Sequence, residues 1–367
     1  MGGEEAIART SHPNMRIAAV LRMSKKALNP KPQADAQERE IDAALHCGPK
    51  YGRKTNCLTQ THTLRNCVTA KKYNYRMNSR YSFSPIVSRK AFEWPHHKRL
   101  AVYVALNVES YSLGSGLIEE LLPAAAQPDV LNYSWCDYGN RVGVWRILDV
   151  LKELSIPVTL LINSHVYEHY PEIVDSFRDR GDEIACHGRT NSEQQGGLTE
   201  AAERELISEA TRTLIDKGGL HPRGWLSPWI SETHATPDIL KSAGYTYVLD
   251  WCCDDQPVWL TTASGPLLAV PYPQEINDSS TVIGRFVTAS DFADMIIDQF
   301  EEMLLQSEGP ALVMGIALHS HISGQPFRLR HLRRALKHIS DARGGFWLTR
   351  AGAIADHFIH GTSDNQQ

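Results

Sequence analysis

Short apolar runs alternate with segments of helical periodicity from residue 99 to the end of the chain. Leu100–Leu106 and Leu312–Leu318 are continuous apolar runs, which is typical of strands buried on both faces of a sheet. Val144–Leu154 places its aliphatic side chains at helical spacing and predicts an amphipathic helix. Thr199 and Ser290 are the predicted N-caps of two long helices. The pattern predicts further strands at 158–162, 183–186, 223–226, 246–250, 267–270 and 346–348, and further helices at 172–180, 200–217, 237–243, 290–306, 326–339 and 351–360.

This order of elements predicts the fold class. Strands that alternate with helices are typical of a parallel sheet. About eight such units within some 275 residues fit a single α/β domain, a (β/α) barrel, better than two domains. We expect a distorted barrel of seven or eight parallel strands in residues 92–367.

Charge is divided unevenly along the 367 residues, although the net charge is only −4. Residues 1–92 hold 17 basic and 6 acidic residues, whereas the rest of the chain holds 21 basic and 36 acidic ones. A segment with few apolar residues and high net charge cannot bury enough surface to offset its chain entropy. Residues 1–91 are therefore predicted to be a basic, disordered extension outside the globular body. The basic, acid-free run from Met15 leaves mitochondrial targeting as a minor alternative to a cytoplasmic location.

Composition also limits the compartment and the partners. No run of eighteen apolar residues exists, so neither a membrane-spanning helix nor a membrane partner is predicted. The seven cysteines, without a secretory signal, are expected to be reduced thiols in the cytoplasm. Cys47, Cys57 and Cys67 recur every ten residues, and because this spacing lacks the close pairs of zinc modules, no metal is assigned to them. No nucleic-acid partner is expected, and self-association into a homo-oligomer is left open.

Polar side chains follow the predicted strands at the points where the strands end. In a parallel barrel these positions share one rim, where the loops gather reactive groups. A single polar residue there is more often a helix cap or a turn former, but a whole set in one consistent position indicates an enzyme. The set comprises Asn107, Glu109, Asn163, His165, His187, Ser227, Asp250, Asp254, Asp255 and His319.

Glu109, His187 and His319 are the leading candidates for chemistry in this set. A carboxylate and an imidazole on one rim can serve as metal ligands, or as a base and an acid. His321 could compete with His319, although a structural role is favoured for it. Trp225 lies near another strand end, where an aromatic ring either stacks on a ligand or buries apolar area between loops.

Six segments resemble, in order and spacing, the motifs of the NodB-homology polysaccharide deacetylases, which form carbohydrate esterase family 4. The similarity is greatest to the intracellular branch of metal-independent allantoinases and cyclic-imide hydrolases. The segments are ALNVES at 105–110, NYSWCDYGNRVGVWRILDVL at 132–151, CHGRTNS at 186–192, RGWLSPW at 223–229, DWCCDDQP at 250–257 and ALHSHISGQPFR at 317–328. The resemblance covers about residues 92–360. It implies a hydrolase of carbon–nitrogen bonds other than peptide bonds.

The resemblance also implies roles for several residues. In the metal-dependent members the first motif supplies two aspartates, a base and a metal ligand, and these places hold Asn107 and Glu109 here. The second motif supplies two histidine ligands, and these places hold His187 and Asn191. Glu109 and His187 alone are fewer than the three protein ligands of a catalytic zinc site. The implied cofactor is therefore either none or a divalent metal such as zinc. The late-strand histidine that protonates the leaving group is matched by His319.

We therefore expect a hydrolase of a small amide, a cyclic ureide or imide, or an N-acetylated sugar. Glu109 is expected to orient or deprotonate water and His319 to protonate the leaving nitrogen, with His187 and Asn191 holding the oxyanion. Substrate contacts are expected from Asn107, Arg141, Asn191, Trp225, Asp254 and Arg328. Two alternatives stay open: a metal-dependent polysaccharide N-deacetylase, and a pseudoenzyme that binds a small molecule without turnover.

Overall fold

A computed structural model describes residues 78–219, 221–342 and 344–363 of the chain. The centre of this part of the chain is a curled, mostly parallel sheet of nine strands with helices packed against it. The strands are β1 (Leu100–Val108), β2 (Val158–Ile162), β3 (Glu183–Cys186), β4 (Gly224–Trp225), β5 (Tyr247–Val248), β6 (Val258–Leu260), β7 (Leu267–Ala269), β8 (Leu312–His319) and β9 (Phe346–Thr349). The predicted fold class, a distorted (β/α) barrel, is confirmed.

The strands follow the order β6-β7-β5-β4-β3-β2-β1-β8, and β9 also pairs with β1. Within the described sheet every pair is parallel except β6 with β7, which is antiparallel. Because parallel strands end at the same edge, the loops that follow β8, β1, β2 and β3 lie side by side. The active-site candidates are found at this edge.

Ten α-helices accompany the sheet in the described residues. They are α1 (Val130–Tyr138), α2 (Val144–Glu153), α3 (Ser164–His169), α4 (Pro171–Asp179), α5 (Glu200–Gly218), α6 (Thr236–Ser242), α7 (Ala289–Gln306), α8 (Ser320–Ser323), α9 (Pro326–Asp341) and α10 (Ala351–Ser363). The sequence pattern predicts seven of them to within about three residues and misses α1, α3 and α8. The second of these has only six residues and the third only four, too short for a helical period to be recognised.

Helix capping agrees with the sequence at α5 and differs at α7. Thr199 accepts a hydrogen bond from the backbone N–H of Ala202 at 3.3 Å, and Gly219 ends α5 at a φ of 75°. The predicted cap of α7, Ser290, is wrong. Thr288 precedes this helix in extended conformation, and its hydroxyl accepts from the backbone N–H of Asp291 at 3.2 Å.

The core lies on both faces of β1, whose nine residues are all buried. Because side chains alternate across a strand, Val102, Val104 and Leu106 pack toward the helices, whereas Ala101, Tyr103 and Ala105 pack on the inner face of the curled sheet. Asn107 and Glu109, at the end of the strand, follow Ala101, Tyr103 and Ala105 in the same alternation. The sheet pleat therefore directs both polar side chains toward the inside of the barrel.

Residues 78–91, predicted to lie outside the body, contact it through two arginines. Arg89 forms a two-pronged ion pair with Asp254, at 2.7 and 2.5 Å, and also donates to Gln256 at 3.1 Å. Arg80 pairs with Asp238 at 2.8 Å. These ion pairs tie residues 78–91 to the body, whereas the boundary at residue 92 stays a prediction.

Several predictions concern residues that the structure does not describe. The disorder and targeting of the basic extension, and the assignment at Cys47, Cys57 and Cys67, fall within residues 1–77 and stay predictions. None of the described helices combines the length and the apolar character needed to cross a membrane. The cytoplasmic location is a prediction as well.

Candidate active site

The register of the sheet brings Glu109, His187 and His319 together. Asn107 on β1 is level with His319 at the end of β8. The ends of β1, β2 and β3 are level with one another in the same way. Glu109 and His187 are the first residues after β1 and β3, so their side chains converge on the same point inside the rim.

Glu109 lies between the two imidazoles and is almost fully buried. Its Oε1 is 3.4 Å from Nε2 of His187 and 3.6 Å from Nε2 of His319. Its Oε2 accepts a hydrogen bond from the hydroxyl of Tyr111 at 2.6 Å. Burial alone would raise the pKa of Glu109, but the facing imidazoles of His319 and His187 lower it to about 2. Glu109 is therefore a carboxylate at neutral pH.

His319 is held by a second carboxylate, Asp278, which no sequence pattern predicts. Nδ1 of His319 lies 2.7 Å from Oδ1 of Asp278, and its backbone N–H donates to Oδ2 at 3.0 Å. The hydroxyl of Ser323 also donates to Oδ2, at 2.5 Å. Burial by itself lowers the pKa of His319, but Glu109 and Asp278 together raise it to about 9. His319 is therefore protonated at neutral pH and presents an Nε2–H group toward Glu109.

His187 has its tautomer set by a backbone carbonyl. Nδ1 lies 2.8 Å from the carbonyl oxygen of Leu226, and because that oxygen only accepts, Nδ1 carries the proton. In neutral His187 the Nε2 lone pair then faces the cavity and can accept a proton. Donation to an oxyanion, the expected role of His187, would need a further proton on Nε2.

A cavity of about 140 Å³ opens beside these side chains. Its lining includes Asn107, Asn191, Trp229 and Gln274 together with Glu109, Glu119, His187 and His319. Nδ2 of Asn107 donates to the hydroxyl of Tyr272 at 3.0 Å and to the carbonyl of Leu318 at 3.1 Å, which leaves Oδ1 buried without a hydrogen-bond partner among the described residues. The predicted substrate contacts Asn107 and Asn191 thus lie at the cavity.

Four other predicted substrate contacts lie away from this cavity. Trp225 is completely buried, donates to Oγ of Ser227 at 3.0 Å and packs edge-on against Tyr245. Asp254 is occupied by Arg89, as described above. The side chain of Arg141 is 72% exposed and lies 3.9 Å from Asp137.

Arg328 is the fourth of these. It lies over the ring of Phe327 and donates at 3.4 Å to the carbonyl of Ile322. These four predictions used the proximity of each residue to a motif or strand end. The direction of each side chain, which the packing decides, excludes the four from the cavity lining.

The residues at the family's metal position do not fit a catalytic zinc. Asn191, at the third ligand place, uses its amide oxygen to accept from Nδ2 of Asn163 at 3.0 Å. A neutral amide oxygen is in any case a poor zinc ligand compared with imidazole. Glu109 and His187 are left as two ligands where three are needed.

Glu109 also belongs to a different group of potential ligands. One ligand atom each from Glu109, Glu119 and His321 lies within 4.8 Å of the other two, and all three residues are buried. Glu119 comes from the irregular segment between β1 and α1, so no strand-end rule could have found it. His321, for which a structural role is favoured on sequence grounds, faces a carboxylate here, since its Nε2 is 3.7 Å from Oε2 of Glu119.

Comparison with known proteins agrees with this fold. Residues 129–248 match the family model described as polysaccharide deacetylase. A putative polysaccharide deacetylase of Schizosaccharomyces pombe is 27% identical over 292 residues, which are 71% of this chain and 91% of that protein.

Two solved structures are also similar. A probable polysaccharide deacetylase from Pseudomonas aeruginosa PAO1 has a TM-score of 0.65 at 26% identity and covers 72% of this chain and 92% of its own. PuuE allantoinase has the same TM-score and identity and covers 75% of this chain and 96% of its own.

Fold, site and comparisons define a hydrolase of carbon–nitrogen bonds other than peptide bonds. Residues 129–248 match the polysaccharide deacetylase domain, the NodB-homology domain of carbohydrate esterase family 4. The family predicted from the six sequence segments is thereby confirmed.

Proposed function

We propose that this protein hydrolyses a C–N bond of a small amide, with a cyclic ureide or imide as the preferred class. The proposal rests on one observation: a buried carboxylate lies between two imidazoles, next to a cavity of about 140 Å³. Sites for drug-sized ligands are larger, at about 300–1,000 Å³. A compact substrate therefore suits this cavity better than several units of a polymer.

Hydrolysis needs a group that accepts a proton from water and a group that donates one to the leaving nitrogen. His319 is the proton donor, because Asp278 and Glu109 hold it in the protonated form. Its positive charge also stabilises the oxyanion that forms when water attacks the carbonyl carbon. As the C–N bond breaks, the Nε2–H proton of His319 passes to the nitrogen.

The proton acceptor is the second requirement. A carboxylate with a pKa of about 2 is a weak base, so Glu109 is better suited to orienting the water than to deprotonating it. Nε2 of His187 faces the same point and has a free lone pair in the neutral tautomer. We assign the water proton to His187. Glu109, within 3.6 Å of both Nε2 atoms, then links the two imidazoles and returns the proton after turnover. These roles use only side chains of this chain.

Turnover of a defined panel tests the proposal. Hydantoins, cyclic imides and an allantoin-type ureide are compared with N-acetylated oligosaccharides, with and without a chelator. We expect hydrolysis of at least one cyclic substrate, and a fall in kcat of about 10²-fold or more in His319→Gln. His338→Gln, on the outer surface of α9 and paired with Glu301 at 3.0 Å, is the matched control and should keep the wild-type rate.

Two other outcomes would contradict the proposal. Turnover of N-acetylated oligosaccharides alone would indicate a polysaccharide deacetylase, the activity that the names of two relatives describe. Tight binding of a cyclic compound without any hydrolysis would indicate a pseudoenzyme.

A further inference from the structure

Glu109, Glu119 and His321 bring two carboxylates and one imidazole to a single buried point. Their ligand atoms all lie within 4.8 Å of one another. Bonds of about 2.0–2.2 Å from one cation to oxygen and nitrogen place such atoms roughly 3–4 Å apart. A small inward movement of three side chains is therefore enough to surround an ion.

His321 provides an independent observation. Its Nε2 is buried and has no hydrogen-bond partner among the described residues. Nε2 of His321 and Oε2 of Glu119 are 3.7 Å apart, which is too far for a direct hydrogen bond. This separation is short enough for one ion or water to contact both atoms. The ring is fixed edge-on against Trp135, with ring centroids 4.7 Å apart, so the nitrogen is held toward the carboxylates. A buried polar atom without a partner costs free energy unless a ligand or a water occupies the gap.

Each carboxylate is also held from outside the group. The hydroxyl of Ser279 donates to Oε1 of Glu119 at 2.7 Å, and the hydroxyl of Tyr111 donates to Oε2 of Glu109 at 2.6 Å. In metal sites, hydrogen bonds of this kind orient the ligands and leave the opposite oxygen for the ion. In Glu119 that opposite oxygen is the one that faces His321.

We propose that Glu109, Glu119 and His321 bind one divalent transition-metal ion beside the active-site cavity. Two carboxylates and an imidazole suit zinc or manganese, and three protein ligands leave a coordination position open. Glu109 and Glu119 line the cavity, so this position lies next to the substrate. The site differs from the family's metal position, which corresponds to Glu109, His187 and Asn191. It rests on ligand geometry and shares one residue, Glu109, with the proposed hydrolysis.

Metal titration of the full chain tests this site. The protein is stripped with a chelator, dialysed and titrated with Zn²⁺ by calorimetry, and its Co²⁺ form is examined by visible absorption. We expect one equivalent of Zn²⁺ in the wild type. The dissociation constant should rise at least about tenfold in Glu119→Gln and in His321→Gln, with loss of the Co²⁺ absorption bands. His187→Gln is the matched comparison, because His187 contacts Glu109 but is not one of the three ligands, and it should change the dissociation constant less than either ligand variant.

Three outcomes would overturn the site. Absence of stoichiometric Zn²⁺ and Mn²⁺ binding would leave a water in the gap beside His321. If His187→Gln and Glu119→Gln weaken Zn²⁺ binding equally, the ion is bound at the family's metal position instead. Unchanged binding in both Glu119→Gln and His321→Gln would place it elsewhere. Thermal unfolding in chelator shows whether each variant is folded, and since binding is measured without substrate, a negative result leaves the hydrolysis proposal standing.

Discussion

At the scale of single residues, Asp278 shows why sequence position alone does not define a site. It follows no predicted strand. Its neighbour Asn277 forms a parallel bridge with Ala317, and this contact sets Asp278 beside the end of β8. There it accepts from both the ring and the backbone of His319. A carboxylate in this place fixes the tautomer of the imidazole and keeps it charged.

Replacing this carboxylate by an amide should weaken the proton donor. In Asp278→Asn we expect kcat to fall about 10²-fold or more, because His319 loses the partner that orients and charges it. The pKa of His319, followed by NMR of its ring protons, should drop below the wild-type value of about 9, since Asp278 raises it.

Asp254→Asn is the matched control for this variant. It removes a carboxylate that the sequence predicts to contact the substrate but that pairs with Arg89 in the structure. We expect wild-type kcat and KM and an unfolding free energy lower by about 1–2 kcal/mol. A raised KM in Asp254→Asn would restore it as a substrate contact. An unshifted His319 pKa in Asp278→Asn would remove Asp278 from the mechanism.

The stability of the folded state depends on pH through Glu232 and Asp250, which are not among the proposed catalytic residues. Burial and the neighbouring Asp250 raise the pKa of Glu232 to about 10, from an ordinary value of 4.5. Between these pH values the native state holds a proton that the unfolded chain has released. The stabilisation from this group is therefore complete below pH 4.5 and is lost as the pH rises toward 10.

We expect the unfolding free energy to fall with rising pH by at most about 1.4 kcal/mol per pH unit from this group. Glu232→Gln should flatten the slope, as measured by urea unfolding at several pH values between 6 and 9. Glu205→Gln, on the exposed side of α5, should keep the wild-type slope. Parallel slopes for Glu232→Gln and the wild type would show that Glu232 is ionised in the native state.

At the scale of elements, two hydroxyl residues at the start of α7, Thr288 and Ser290, differ in whether they cap the helix. Only the hydroxyl of Thr288 stands where it can accept from the backbone N–H of Asp291, because Thr288 is extended whereas Ser290 is already inside the helix. Thr288→Ala should lower the unfolding free energy by about 1 kcal/mol, and Ser290→Ala should leave it nearly unchanged. Denaturant titrations of the two variants measure this. A larger loss in Ser290→Ala would support the capping residue predicted from the sequence.

At the scale of the whole molecule, the boundary of the body depends on residues 78–91. Deleting residues 1–91 removes Arg80 and Arg89, whereas deleting residues 1–77 keeps their ion pairs with Asp238 and Asp254. The shorter chain should be less stable by about 2–3 kcal/mol, which corresponds to a Tm lower by roughly 5–10 °C.

Both truncated chains should keep the wild-type kcat, because residues 78–91 are not among those that line the active-site cavity. Thermal unfolding and a turnover assay of the two proteins measure these effects. Equal Tm values for the two truncated chains would support the predicted boundary at residue 92.

Most strands and helices, the family and the expectation for Glu109 and His319 come from the sequence alone. The reason is that periodicity and the position of a residue after a strand are local properties, and the β-strand pleat already directs Asn107 and Glu109 inward. Tertiary structure decided the partners: Asp278 beside His319, Glu119 facing His321, and Arg89 on Asp254. The members of these three pairs are 41, 202 and 165 positions apart in the sequence. No local pattern encodes such distances, because they depend on how the sheet and its loops pack.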